Sequence, residues 1–169
     1  MSIDGDLLRL ARERDTAATI AVEAMLLERP DIVRKRLRDY IFRQVDQRRI
    51  KRVNESIPEL LTLEGGINQL TCPAVEFSSG AQLRFDIQLE SGQGGWHVLR
   101  FRFQVRLQSR RSTRMVQIHL NPQSSHDPLT IPRCHLHIDQ GQAHVPFPVM
   151  DPRLMLHVIC EHIAPDLGT

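Results

Sequence analysis

With 169 residues, 41% of them hydrophobic and 25% charged, the chain has the size and mixture of one globular domain able to bury a core without disulfides, which excludes a disordered or fibrous class. No apolar run approaches the ~18 to 20 residues of a membrane span, and the opening Ser2-Ile3-Asp4-Gly5-Asp6 lacks the cationic start and apolar block of a signal peptide, so the expectation is a cytoplasmic protein with no membrane partner. The net charge of +2 is modest but clustered, and three cysteines without paired ligand spacing predict reduced, buried thiols rather than a disulfide framework or a zinc ribbon.

From about Asp6 to Glu28 the chain is rich in Leu, Ala, Ile and Val with no Gly or Pro inside, which predicts a first helix. Pro30 breaks it and Asp31 is placed to cap a second. There Val33, Leu37, Tyr40, Ile41 and Val45 recur at helical spacing. The polar face of that segment carries Arg34, Lys35, Arg36, Arg38, Arg43, Arg48, Arg49, Lys51 and Arg52 against only Asp39 and Asp46. Such a face is either simply solvated or meets phosphate or an acidic partner. Asn54 to Cys72 reads as a short helical turn and a linker.

From Pro73 the period changes to alternation, the signature of half-buried strands. Leu83, Phe85, Ile87 and Leu89 alternate with Arg84, Asp86, Gln88 and Glu90, and Gly92, Gly94 and Gly95 supply a turn. Leu99, Phe101, Phe103, Val105 and Leu107 then alternate with Arg100, Arg102, Gln104, Arg106 and Gln108, the clearest strand in the chain. A polar turn at Ser109 to Thr113 leads to a strand holding Val116, Ile118 and Leu120 with Gln117 and His119. After a Pro-containing loop comes Arg133-Cys134-His135-Leu136-His137-Ile138-Asp139, then the turn Gln140-Gly141-Gln142 and a short run from His144 to Phe147. Asp151 and Pro152 begin a closing helix through Leu154, Met155, Val158, Ile159, Cys160 and Ile163, which Pro165 stops.

The expected fold is α+β: two N-terminal helices, an antiparallel sheet of about five strands, and one C-terminal helix packed on the apolar sheet face. A helical N-terminal segment (1–56) precedes the sheet with its closing helix (57–169), the two forming one compact unit. Phe85, Phe101, Phe103, Ile118, Leu136 and Ile138 should form the core with Val33, Leu37, Ile41, Leu154 and Val158.

The opposite sheet face should then be open. Alternation puts Arg84, Arg100, Arg102, Arg106 and Arg133 on it beside His119, His135, His137 and Asp139. Outward polar residues are ordinary on any half-buried strand, but a mixture of several Arg and His with few Lys suits phosphate recognition. The expected function is therefore a nucleic-acid-binding or RNA-cleaving module, of a toxin or defence kind. Arg84, Arg100, Arg102, Arg106 and Arg133 would hold the RNA or DNA, and His135, His137 and His119 would act as metal-free general acid and base. No cofactor is implied.

Two alternatives stand beside it. The first is a non-catalytic subunit that docks on a protein partner, or forms a homodimer, through the N-terminal helices. The second is a small metal-dependent enzyme built on His135-x-His137, with Asp139 or His144 as further ligand. The sequence does not match known His-x-His families: the metallo-β-lactamase pattern requires a histidine where Gln140 stands, and the histidine-triad hydrolases require one where Asp139 stands. Cys134 and His135 point to opposite sides of a strand, so they are not a nucleophile pair. His157 and His162 are expected at the surface, and Trp96 as an anchoring aromatic.

Overall fold

A computed structural model describes residues 3–25, 27–53, 62–64, 68–108, 112–122, 127–139 and 143–164. The order is α1 (Ile3–Ala24), α2 (Pro30–Asp46), β1 (Ile50–Val53), β2 (Thr62–Glu64), β3 (Asn68–Phe77), β4 (Gln82–Gly92), β5 (Gly95–Gln108), β6 (Thr113–Leu120), β7 (Cys134–Ile138), β8 (Val145–Pro146) and α3 (Pro152–Val158), with a π-helical turn over Ile159–Ile163. The class is α+β, as the change of period predicts, but among the described residues the sheet has eight strands rather than about five.

The sheet is an antiparallel meander in the order β1-β3-β4-β5-β6-β7-β8, with β2 also on β3. β1 pairs with Val75 to Phe77 and β2 with Gln69 to Thr71, so the two short strands share one edge of β3 end to end. Residues 50–53 of the helical segment thus belong to the sheet. Helix α2 stops at Asp46 because Gln47 caps it and Arg48 adopts φ 59°, turning the chain into β1. Arg48, Arg49, Lys51 and Arg52 therefore leave the basic helix face. The β4–β5 turn places Gly94 at φ 88°, a conformation open to glycine without steric cost.

Helix boundaries differ from expectation in two further places. Helix α1 ends at Ala24, and Leu27 instead donates its N–H to the Trp96 carbonyl at 2.7 Å, bridging to the start of β5. Arg29, not Asp31, is the α2 N-cap, with Pro30 in the first turn, where its missing N–H costs nothing. Asp151 caps α3 as expected, accepting from the Arg153 N–H at 2.8 Å. The helical turn and linker expected over Asn54 to Cys72 give way to strand at 62–64 and 68–72, where β2 and the first half of β3 pair with each other; 54–61 and 65–67, the polar residues 109–111, the turn 140–142 and the stop at Pro165 lie outside the described residues.

One sheet face packs against α2 and α3. Leu83, Phe85, Ile87, Phe101, Phe103, Val105 and Ile118 are buried in one cluster with Val33, Leu37 and Ile41. Phe103 stacks on Phe85 at 5.1 Å between ring centroids and meets Phe101 edge-on at 5.6 Å. The closing helix contributes Met155, Leu156, Ile159 and Cys160, while Leu154 is 50% exposed, so its buried stripe is offset from the expected one. The offset is set within α3 itself, where Met155 and Leu156 are buried, and the π-helical turn that follows buries Ile159 and Cys160. At the far edge the core thins: Leu136 is half-buried and Ile138 is 53% exposed, against expectation for both.

Candidate functional site

In an antiparallel ladder directly opposed residues share a face, so the register itself lays out the open side of the sheet. One rung runs Thr71, Asp86, Arg102, His119, His135 from β3 to β7. The next runs Arg84, Gln104, Gln117, His137 from β4 to β7. Both rungs end in histidines. His144, just before β8, joins them, because β8 pairs alongside His135 and Leu136.

The four imidazoles converge. Ring centroids are 5.3 Å apart for His119 and His135, 5.0 Å for His119 and His137, and 4.9 Å for His135 and His137. His144 lies 4.8 Å from His135 and 4.4 Å from His137. One ligand atom from each of His119, His135 and His137 can be chosen so that all three lie within 4.8 Å of one another. His135 is 1% exposed, and its Nδ1 stands 2.6 Å from the Pro132 carbonyl oxygen. A carbonyl only accepts, so Nδ1 carries the proton and Nε2 keeps its lone pair. His119 Nε2 lies 3.1 Å from Gln117 Oε1, which orients the second ring.

This setting favours the neutral form of His119, His135 and His144. His119 is pushed down to about 4, first by burial and then by His135, His137, Arg102 and His144 around it. Burial also lowers His135, against the Pro132 hydrogen bond, and lowers His144, with neighbouring imidazoles adding to both. Neutral imidazoles serve as bases or ligands. The imidazolium form is the harder state to hold at His119 and His135 near pH 7, which weakens a metal-free acid–base pairing between those two.

Of the expected arginines, Arg84, Arg100, Arg102 and Arg106 are exposed on strands β4 and β5. Arg102 donates from Nε to Asp86 Oδ2 at 3.3 Å. Arg84, Arg102, Gln104, Thr71 and Asp86 line a shallow groove of about 410 Å³ that also reaches Cys72 and Phe85. Arg133 does not belong to this surface. It is 5% exposed, its guanidinium donates to Thr19 Oγ1 at 2.9 Å, and its backbone N–H donates to Asp15 Oδ1 at 3.2 Å. Alternation placed it outward correctly in phase, but α1 lies where solvent was expected.

Asp139 is also withdrawn. Its Oδ1 accepts from the Met115 N–H at 3.0 Å while its own N–H donates to the Met115 carbonyl, and at φ 59° it has already left the strand conformation. The cluster is therefore all-imidazole. Cys134 is buried on the other side, with burial pushing its thiol up to about 12, as expected of an inert core cysteine. His157 and His162 are exposed, His157 with Nδ1 3.0 Å from the Tyr40 hydroxyl. Trp96 packs against the core.

Alternation sets Gln117 on the face of the histidines but carries no sign that it meets the His119 ring, and nothing in the sequence points to the Pro132 carbonyl beside His135 or to Asp15 beside the Arg133 backbone. Sequence reading also missed a groove of about 510 Å³ between α2 and α3 lined by Arg36, Tyr40, Arg43 and Arg153. There Glu28 binds Arg36 at 2.7 Å and Arg153 at 3.5 Å, and Arg43 lies over the Tyr40 ring, so most of the positive charge is already answered. No described helix is long and apolar enough to cross a membrane. Comparison with protein-family models, with curated proteins and with solved structures finds no match for this chain.

Proposed function

We propose that the open face of the sheet binds a phosphodiester chain, single-stranded RNA first among candidates, and presents it to the histidine cluster. The observation that carries this reading is continuity: the two rungs that line the arginine groove are the same two that end in His119, His135 and His137. Arg84 and Arg102 supply guanidinium forks to phosphate oxygens, Arg100 and Arg106 extend the cationic strip along β5, and Gln104 and Gln117 offer amide donors between them. A phosphate held in the groove leaves the neighbouring nucleotide over the imidazoles, where one ring can take the proton of a 2′-hydroxyl as its oxygen bonds to phosphorus and the P–O5′ bond breaks, solvent water giving a proton to the departing 5′-oxygen.

The test is binding of a fluorescein-labelled single-stranded RNA by anisotropy, at several salt concentrations, for the wild type and for the triple variant Arg84→Gln, Arg100→Gln, Arg106→Gln. The expected result is an affinity at least about tenfold weaker in the folded triple variant, with a shallower salt dependence. Equal binding by both proteins overturns the reading. Loss of cleavage in His119→Ala and His137→Ala with binding retained would place the chemistry at the cluster; binding without cleavage in the wild type limits the function to recognition.

A second reading, a subunit that docks through its N-terminal helix, is favoured by one observation. Leu7, Leu10 and Ile20 on α1 are all more than half exposed, and Leu8, Ala17 and Ile20 line an outward groove there. Sedimentation of the wild type against Leu10→Glu, Ile20→Glu separates the cases: a partnered helix gives a smaller, still folded species, and a solvated one gives no change in mass.

A further inference from the structure

We propose that His119, His135, His137 and His144 form a binding site for a divalent transition-metal ion, zinc in the first place. The proposal is independent of the RNA reading and stands if that reading fails.

His119 and His135 are directly opposed in the β6–β7 ladder, and His137 follows two residues later on the same face, so three imidazoles are fixed by strand register alone. The fourth, His144, arrives from the segment leading into β8, whose pairing with β7 brings its ring within 4.4 Å of His137. Two nitrogens on one tetrahedral zinc stand about 3.4 Å apart, from Zn–N bonds of about 2.0–2.1 Å. One donor atom from each of His119, His135 and His137 already lies within 4.8 Å of the others, so closing on an ion asks for a shortening on the order of 1 Å.

Ring packing alone would account for four imidazoles in contact, but not for how they are held. A metal-binding histidine characteristically gives its other ring N–H to a carbonyl or carboxylate, which fixes the tautomer and aims the free lone pair. His135 does this with the Pro132 carbonyl, and it does so while buried, where rotation is most restricted. Gln117 Oε1 stands at the corresponding distance from His119 Nε2. Asp139 and Asp86, the carboxylates that follow His137 on β7 and share the His119 rung, are committed elsewhere, to the Met115 backbone and to Arg102. An all-nitrogen donor set selects zinc, copper, nickel or cobalt over magnesium, calcium or manganese, which want oxygen. Asp86 also screens the one guanidinium on the rung that leads to the site.

The geometry allows two forms. With all four imidazoles the ion is closed off and structural; with three, the remaining position is open to water or to an anion. His144 decides between them.

The experiment uses the full chain, stripped with a chelator and dialysed, titrated with Zn²⁺ against a chromophoric competitor and, in parallel, with Co²⁺ followed by visible absorption. The expected result is one ion per chain, a blue tetrahedral cobalt spectrum, and a rise in Tm on adding Zn²⁺. His119→Ala and His137→Ala should each weaken zinc binding by about tenfold or more, whereas the double variant His97→Ala, His162→Ala, which removes two histidines outside the cluster, should bind as the wild type does. His137 is half-buried and its variant is expected to fold, so a folding failure of a His135 variant leaves the test intact. No zinc or cobalt binding by the stripped wild type overturns the proposal, and so does zinc binding that is equal in the wild type and in the folded His119→Ala, His137→Ala double variant.

Discussion

His119 stands directly opposite His135 on one side, with ring centroids 5.3 Å apart, and directly opposite Arg102 on the other. A proton on His119 would place a new positive charge between a guanidinium and three imidazoles at a partly buried position. Burial and these neighbours hold its pKa down to about 4, against 6.5 for the free side chain. The unfolded chain therefore takes up this proton first as pH falls, and stability present above 6.5 is lost through the window from 6.5 down to about 4. Urea unfolding of the chelator-treated protein across that range should show stability rising with pH and then levelling. His119→Asn should flatten the slope, and an unchanged slope would rule His119 out as its source.

Arg133 is expected to matter for stability and not for ligand binding. Its side chain and its backbone N–H both end on α1, at Thr19 and Asp15, and Arg14 on the same helix donates to the Pro128 carbonyl nearby. Arg133→Ala should lower the unfolding free energy by about 2 kcal/mol, the scale for losing a partly charged buried hydrogen bond. It should also speed proteolysis within α1. Arg100→Gln, on the exposed strip, should stay within about 0.5 kcal/mol of the wild type. Equal effects of the two would remove the distinction drawn between them.

The strand residues show where alternation reads correctly and where it fails. Along β5 it placed Phe101, Phe103, Val105 and Leu107 inward and Arg100, Arg102 and Arg106 outward, because β4 and β6 both pair with the stretch from Phe101 to Arg106; ahead of it, where β4 alone pairs and the register shifts, Val98 is buried and Leu99, expected inward, is only half-buried. The same rule brought His119, His135 and His137 to one face, since it needs only strand identity and register. It failed for Arg133, whose cover comes from a helix more than a hundred residues away, and for Asp139, which a left-handed backbone turns back onto β6. The strand β1 was illegible because Lys51 and Arg52 continue the charge pattern of α2, and only the cap at Gln47 and the turn at Arg48 separate them. Partner atoms such as the Pro132 carbonyl carry no side-chain signal at all.

Phe103 and Ile138 give the sharpest contrast in packing, although both were expected in the core. Phe103 is fully buried between Phe85 and Phe101, whereas Ile138 is 53% exposed at the end of β7. Phe103→Ala should cost about 3 to 5 kcal/mol, from lost transfer energy and the cavity left behind. Ile138→Ala should cost less than about 1 kcal/mol. Denaturant midpoints at constant m-value would check both, and a large loss at Ile138 would mean that the sheet edge is covered in solution.

Asp86 provides the most direct probe of the groove. It is the carboxylate that occupies Arg102, on a surface otherwise set out for anions, and it lies on the rung that leads to His119. Asp86→Asn keeps the shape and removes the competing charge. A guanidinium released from its internal partner becomes available to a phosphate, and the repulsion between carboxylate and phosphate disappears with it. RNA affinity should therefore rise, and the dependence of log K on log salt should steepen by about 0.7, the increment for one further phosphate contact on a single strand. Arg102→Gln should show the opposite pair of shifts only weakly, because Arg102 is already half committed to Asp86. If Asp86→Asn changes neither affinity nor slope while Arg84→Gln weakens binding, the nucleic acid runs along the outer arginines of β4 and β5 and does not enter the groove beside the histidines.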